Sequence, residues 1–244
     1  MENISVVVIN LNEEQQIGHL LEDLAQQTYQ GFEVILVNLD SDDITCEIAK
    51  DYQDRLPELT LHKMEGRSVS IGRNTGASLA KYERILFLDA DIRLSNDFLS
   101  RALNKLQDKQ LEVAGIYMSA KKSPLAHKLG FGMCNLGFFA TQYFFPTAVG
   151  ACLFSTKTVH ERVGGFDESI VLCEECDYVN RGAKTWRFRF LPLTFEFNSR
   201  KLEQNGHVKT GLTYLKANMR RFLFGEIRSN QMDCPCNHVK DPSQ

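Results

Sequence analysis

An α/β fold, an open and mostly parallel sheet flanked by helices, is what this 244-residue chain predicts. Three features point to it. Short β-branched runs show little polar alternation, as in strands buried on both faces. Helical periodicity separates these runs, and polar clusters follow them at the carboxyl ends, where an open α/β sheet binds ligands.

Ile4 to Ile9 is the first such run. Glu13 to Gln27 then places Ile17, Leu20, Leu21 and Leu24 at helical spacing, with Asn12 as N-cap and two glutamates near the positive end of the dipole. Phe32 to Val37 is a second buried strand, and the polar turn from Asn38 to Thr45 leads into a helix through Tyr52. Leu59 to Lys63 is a short third strand, Ser70 to Lys81 a helix of small residues, and Arg84 to Leu88 a strand ending on Asp89-Ala90-Asp91. Asn96 to Lys109 has helical periodicity, and Glu112 to Ala120 reads as another strand.

The second half is less regular. Leu129 to Thr156 carries no charged side chain and is long enough to cross a bilayer, yet Asn135, Gln142, Pro146 and four glycines lower its hydrophobicity. The reading is therefore a buried or membrane-touching element rather than a spanning helix. A Gly-Gly-Phe-Asp turn at 164–167 and a strand from Trp186 to Pro192 follow. Thr210 to Phe224 reads as an amphipathic helix with a basic end at Arg220 and Arg221, and Ser229 to Gln244 as a polar, disordered tail.

Composition narrows the class. Hydrophobic residues at 43% suffice for a sizeable core, and the formal charge of -3 gives no field that would hold nucleic acid. Seven scattered cysteines in a chain of this size indicate a reducing compartment. The start Met-Glu-Asn lacks a basic n-region and a small-residue cleavage site, so a cytoplasmic protein is expected, at the inner face of the membrane if the uncharged segment touches lipid.

Asp89 and Asp91 carry the strongest chemical signal, since two carboxylates at the end of a buried strand are hard to explain by the core. They suit a hard divalent cation that keeps positions open for phosphates, or else a solvated turn or helix N-cap before Leu94. Asn38, Asp40 and Ser41 lie where a doubly wound sheet contacts a nucleoside, although such residues also make ordinary loops and caps. Arg67, Arg73 and Asn74 can reach a diphosphate or can be surface and packing residues. Glu174, Glu175 and Asp177 can supply a general base for an acceptor hydroxyl or form a solvated helix start. His207 reads as structural or as a late metal ligand, and Cys234, Cys236 and His238 lack a matching second pair for a zinc site. No Walker loop, dinucleotide fingerprint or Ser/His/Asp arrangement is present.

In order along residues 4 to about 225, these segments resemble glycosyltransferase family 2. Val6 to Glu14, containing Asn10 and Asn12, is similar to the family's opening strand and Asn-Glu-Glu turn, and Glu33 to Asp43 to its nucleoside-binding strand and loop. Gly66-Arg67 and Arg73 to Ala77 match the stretch before the metal site, and Leu88 to Asp91 its DxD motif. Val163 to Glu168 and Glu174 to Asp177 resemble the Gly-Gly-Phe-Asp segment and the Glu-Asp pair that holds the catalytic base, and Ser199 to Lys201 a Ser-Arg-Arg segment. The resemblance implies a GT-A fold of Rossmann-like type over 1–228, with a nucleotide-sugar half at 1–120, an acceptor half at 121–228 and a tail at 229–244. It implies an inverting transfer from a UDP- or GDP-sugar to a saccharide or lipid-linked acceptor. Mg2+ or Mn2+ would sit on Asp91 and Asp89, Arg67, Arg73 and Asn74 would lie at the diphosphate, and Asn10, Asn12, Asn38 and Asp40 at the nucleoside. Glu175 would be the base, with Glu174 and Asp177 as the other candidates.

Two positions depart from the family pattern, Asn38 and Glu175, each of which is usually Asp. They motivate the competing reading of a non-catalytic sugar- or polymer-binding protein that keeps the fold. A nucleotidyltransferase is disfavoured by the lack of a Gly-rich basic loop directly after the first strand.

Overall fold

In the computed structural model, which describes residues 1–119, 125–197 and 220–221, the buried runs of the first half form β1 (Ile4–Asn10), β2 (Phe32–Asn38), β3 (Leu59–Lys63) and β4 (Arg84–Asp89). They pair in parallel in the order β3-β2-β1-β4. Parallel neighbours need crossovers, which α1 (Ile17–Ala25), α2 (Thr45–Lys50) and α3 (Val69–Leu79) supply. The chain builds outward from β1 through β2 to β3, then returns to place β4 on the other side of β1. That reversal of order opens a crevice at the carboxyl ends of β1 and β4. The register sets Asn10 opposite Asn38 and Ile9 opposite Asp89, so the polar ends predicted from sequence share one rim.

Eight described strands complete the sheet, in the order β3-β2-β1-β4-β7-β6-β8-β5. After β4 come β5 (Ile92–Arg93), α4 (Phe98–Lys109), β6 (Val113–Ser119), α5 (Leu125–Thr141), β7 (Cys152–Thr156), α6 (Lys157–Val163), α7 (Glu174–Gly182) and β8 (Phe188–Phe197). β7 is antiparallel to both β4 and β6, and β5 to β8, so this half is mixed where the first is parallel. Parity along the strands divides the core. Val6, Val8, Leu86 and Leu88 pack with α1 and α4 on one face, while Val7, Ile9, Ile85 and Phe87 face α3, α6 and α7 on the other. α3 lies close on β1 because Gly76 has no side chain, and an added Cβ there would overlap Val7.

Several boundaries differ from the sequence expectation. Asn12 does not cap α1, which begins at Ile17 after a turn; Asn12 adopts a left-handed backbone (φ 54°) and its Oδ1 accepts from the Asp42 amide at 2.9 Å. The side chain serves the neighbouring loop instead, a role that Asn tolerates sterically. α3 starts at Val69 behind Ser68, whose hydroxyl accepts from the Ile71 amide, and α4 starts at Phe98 rather than Asn96. β8 does not stop at Pro192. The register shifts there, with Ile116 opposite Leu191 and Tyr117 opposite Thr194, so the proline sits in a bulge where no ladder N–H is required.

The uncharged segment resolves into two elements. Its first part is α5, whose Asn135 side chain bonds both backbone groups of Met118 at the β6 end, at 3.1 and 2.8 Å. Its last residues are β7, buried between β4 and β6. Phe131 and Phe138 pack toward the core, whereas Leu129, Met133, Leu136 and Phe139 are exposed. No described helix is long and apolar enough to cross a membrane. His207, Ser199 to Lys201, the tail with Cys234, Cys236 and His238, and all of the expected 210–224 helix except Arg220 and Arg221 lie outside the described residues.

An imidazole packs against the second core. His160 lies 5.7 to 5.9 Å from the rings of Tyr178, Phe87 and Phe166, and its Nδ1 has no hydrogen-bond partner among the described residues. Burial, helped by the charge of Arg181, holds its pKa down to about 4 against an ordinary 6.5. As pH falls, the unfolded chain takes up this proton first, so the contribution is complete above about 6.5 and is lost on the way to about 4. Between about pH 7 and pH 5, urea unfolding is expected to lose about 2 kcal/mol more stability in the parent than in His160→Leu, a variant without this imidazole. An equal loss in that variant would place the acid sensitivity elsewhere.

Candidate active site

One side of the crevice is built by the loops after β1 and β2. The Asn38 side chain turns back on its own loop, donating to Ser41 Oγ at 2.9 Å and accepting from the Ser41 amide at 2.9 Å. The same hydroxyl receives Asn10 Nδ2 at 3.4 Å and the Asn12 amide at 3.0 Å. Ser41 is thus the hub of this rim, and the Oδ1 of buried Asn10 has no hydrogen-bond partner among the described residues. Asp40 stands in the left-handed region at φ 59°, a conformation that Asp tolerates better than most residues. Arg67 crosses from the far side of the loop to the Asp42 carboxylate and the Asp40 carbonyl. It braces this loop, because its guanidinium has a carboxylate within reach there.

The metal-candidate carboxylates lie at the next strand end. Asp89 closes β4, its amide bonded to the Ala151 carbonyl at 3.2 Å, and Asp91 follows in the turn into β5, half-buried. The decisive contact comes from α3. Arg73 is only 3% exposed, and its guanidinium reaches Asp89 Oδ1 at 3.1 Å and Glu174 Oε1 at 2.6 Å. One cation therefore ties the end of β4 to the start of α7, residues 85 positions apart (174 minus 89). Burial works against its charge, but Asp89, Glu174 and Glu175 outweigh burial and keep its pKa above the ordinary arginine value. The guanidinium passes over Gly150, where a Cβ would collide with it, and lies 5.3 Å from the Phe166 ring centre. Arg73 is thus a buried bridge between the two halves of the site rather than an arm open to solvent.

Asn74, its neighbour on α3, is also spent on the fold. Its Nδ2 donates to the Phe166 carbonyl and to Glu168 at 3.0 Å each, and its Oδ1 accepts from the Phe166 amide at 2.8 Å. Gly164 and Gly165 have positive φ values of 76° and 71°, and a Cβ on Gly165 would strike Asn74, so the Gly-Gly-Phe-Asp turn needs glycine to dock here.

The three candidate bases stand on the first turn of α7 with different partners. Glu174 is paired with Arg73. Asp177 is paired with Arg181 at 2.6 Å, and that arginine also bonds the Val163 and Gly165 carbonyls, so this carboxylate is held within the structural frame. Glu175, 9% exposed, lies beside Cys176, whose Sγ is 3.9 Å from its Oε1. Burial, then the charges of Glu174 and Cys176, push its pKa well above the ordinary value, and Arg73 opposes them only in part. Sequence reasoning missed Cys173, Cys176 and Gly150 as site residues. The Cys-x-x-Cys spacing around the glutamates was the available signal for the first two.

A parallel βαβ half ending in an Asp-x-Asp strand terminus, followed by a mixed half that returns an acidic helix to the same crevice, is the GT-A architecture. The chain belongs to glycosyltransferase family 2, whose profile, described as Glycosyl transferase family 2, matches residues 5–163. Glycosyltransferase GlyG of Streptococcus pneumoniae serotype 4 is 27% identical over 228 residues, covering 91% of this chain and 65% of that protein. Glycosyltransferase GlyA of the same organism is 28% identical over 123 residues, 50% of this chain and 18% of its own length. The chain thus spans less than two thirds of these curated relatives. Staphylococcus aureus TarS 1-349 in complex with UDP-GlcNAc superposes with a TM-score of 0.65 at 20% identity, over 80% of this chain and 58% of that one. Mannosyltransferase PcManGT from Pyrobaculum calidifontis, in complex with GDP-Man and Mn2+, gives 0.70 at 19% identity, over 88% and 64%. At such identities the likeness to solved structures establishes the fold.

Replacing Arg73 by Leu leaves Asp89 and Glu174 without their shared cation. Because Asp89 is 35% exposed and can recover water, the expected loss is about 2 to 3 kcal/mol, at the low end for a broken buried pair. Arg73→Lys, with a point charge in place of a fork, should fall between the two. Urea midpoints at constant slope would measure both, and a Leu variant as stable as the parent would refute the bridging role.

Proposed function

We propose that this domain transfers a sugar from a nucleoside diphosphate, a UDP- or GDP-sugar, to a hydroxyl of a saccharide or lipid-linked acceptor with inversion at the anomeric carbon. The observation that carries the reading is the Arg73 bridge, which joins the Asp89 strand end to the helix bearing Glu175. Donor and acceptor groups can then meet in one crevice. The complexes of TarS with UDP-GlcNAc and of PcManGT with GDP-Man and Mn2+ support the donor class and the metal.

The donor set at the strand end fits a hard cation. Asp91 and Asp89 offer carboxylate oxygens at a partly open position, and Mg2+ or Mn2+ binds through one or two carboxylates plus substrate phosphates. Such an ion would stabilise the charge on the departing diphosphate. Asn10 Oδ1, buried and without a partner among the described residues, is an acceptor that a nucleoside N–H can satisfy. Asn12, Asn38 and Asp40 line the same rim, shaped by Ser41. Arg67 and Asn74 act indirectly, the first by bracing the nucleoside loop and the second by docking the turn before α7.

Glu175 takes the acceptor proton as the hydroxyl attacks the face opposite the leaving group. Of the three acidic residues it alone has no ion pair within 4 Å among the described residues, and its raised pKa makes it a stronger base than a solvated carboxylate once ionised. Arg73 holds Glu174 in place and lowers the cost of a second negative charge beside it. The exposed apolar residues of α5, with Tyr143 and Phe144 beyond its end, form a surface suited to the lipid portion of an acceptor or to peripheral contact with a membrane.

Calorimetry with a panel of nucleotide sugars, with and without Mn2+, tests the donor half. Binding should require the ion and weaken about tenfold or more in Asp91→Ala; equal affinity without metal would end the mechanism. Glu175→Gln should keep donor affinity while losing about 10²- to 10⁴-fold in turnover, the usual worth of a positioned base. Turnover unchanged in that variant would remove Glu175 from the role.

A further inference from the structure

Beside Glu175 the site contains two thiols that the transfer reaction does not use. Cys173 is the N-cap of α7 and Cys176 lies one turn on, so the Cys-x-x-Cys spacing brings both thiols to the same end of the helix. Glu175 stands between them in sequence and beside them in space. One Sγ from each cysteine and one carboxylate oxygen of Glu175 all lie within 4.8 Å of one another. The cluster is enclosed, with Cys173 2% and Cys176 1% exposed.

We propose that Cys173, Cys176 and Glu175 form a site for a soft divalent cation of the zinc class, separate from the oxygen-only pair Asp89 and Asp91. The donor types decide the class: thiolate sulfur selects zinc-like ions, whereas carboxylates alone suit magnesium and manganese. The dimensions agree. Zinc bonds of about 2.3 Å to sulfur and about 2.1 Å to oxygen at a tetrahedral angle set ligand atoms about 3.6 to 3.8 Å apart. Cys176 Sγ and Glu175 Oε1 are already 3.9 Å apart, so small side-chain rotations suffice. Cys173 also holds a left-handed backbone at φ 62°, an unfavourable conformation for a residue with a Cβ, which turns its side chain back over the first turn of α7. Binding releases the thiol protons to solvent and leaves a fourth position for water.

The site has a consequence that rests on the role of Glu175 proposed above. An ion that engages its carboxylate occupies the lone pair that would accept the acceptor proton, so a soft cation would silence the transfer while a hard cation on Asp91 and Asp89 supports it. The metal site itself does not depend on that role, and its test reads no turnover.

Co2+ serves as the probe, titrated anaerobically with a non-thiol reductant into the full chain carrying Cys234→Ser and Cys236→Ser, which removes the thiols of the tail. A near-ultraviolet thiolate-to-cobalt charge-transfer band and the visible bands of tetrahedral cobalt are expected, saturating at one equivalent and bleached by Zn2+. Adding Cys173→Ser and Cys176→Ser should abolish the charge-transfer band; its absence in the parent, or its persistence in this variant, would overturn the proposal. Should the double replacement fail to fold by circular dichroism, Glu175→Gln decides instead. It keeps both thiols and should retain the band while weakening cobalt affinity by at least about tenfold, since even outer-shell losses cost that much. Unchanged affinity in Glu175→Gln would refute the three-donor site.

Discussion

The buried guanidinium of Arg73 is the constraint on which the rest of the site depends. Taking an arginine out of water costs several kcal/mol unless its donors are met by well-placed carboxylates. Asp89 and Glu174 meet the demand of its two terminal nitrogens, while Nε has no partner among the described residues, and they add a charged tie between a strand of the parallel half and a helix of the mixed half that also pack through Phe87 and Tyr178. The surroundings conform to it. Gly150 leaves room for the guanidinium, Phe166 lies beside it, and Asn74 on the next position of α3 docks the segment that carries Phe166. α3 thus faces the sheet through Gly72 and Gly76 and grips the second half through Arg73 and Asn74.

The same enclosure separates the chemistry of groups that look alike in sequence. Glu174, Glu175 and Asp177 fall within four residues, yet among the described residues only Glu175 is both deeply buried and without an ion pair within 4 Å. Burial that makes ionisation of this carboxylate costly also makes the ionised form reactive, which is the usual way a carboxylate becomes a useful base. The two cysteines share that burial, and so a set of soft donors has formed within reach of Glu175, while the hard donors Asp89 and Asp91 remain at the more open strand end.

Much of the first half was legible in the sequence because β1, β2 and β4 are buried on both faces and read as nearly unbroken apolar runs, whereas the edge strand β3 is only partly buried. β1 to β4 fall where the runs are, and the polar residues after them fall on the rim because parallel strands place their carboxyl ends together. The mixed half was less legible. Leu129 to Thr156 has one composition but two fates, a helix with an outward apolar face and a central strand, and periodicity alone does not divide it. β8 runs through Pro192 because a bulge removes the need for its missing N–H, which a local reading takes as a strand end.

The sequence by itself determined the family, the order of strands and helices in the parallel half and the list of acidic and amide residues from which a site could be made, since these depend on local pattern and motif order. Only the tertiary structure decided their partners. Asn12 shapes a loop instead of capping a helix, Arg67 braces that loop, Arg73 is buried between two carboxylates, Asn74 holds a turn, and Asp177 is bound to Arg181. The physical reason is that charge pairing and burial are set by distances between residues remote along the chain, such as Asp89 and Glu174, and no spacing within either segment encodes the other's position.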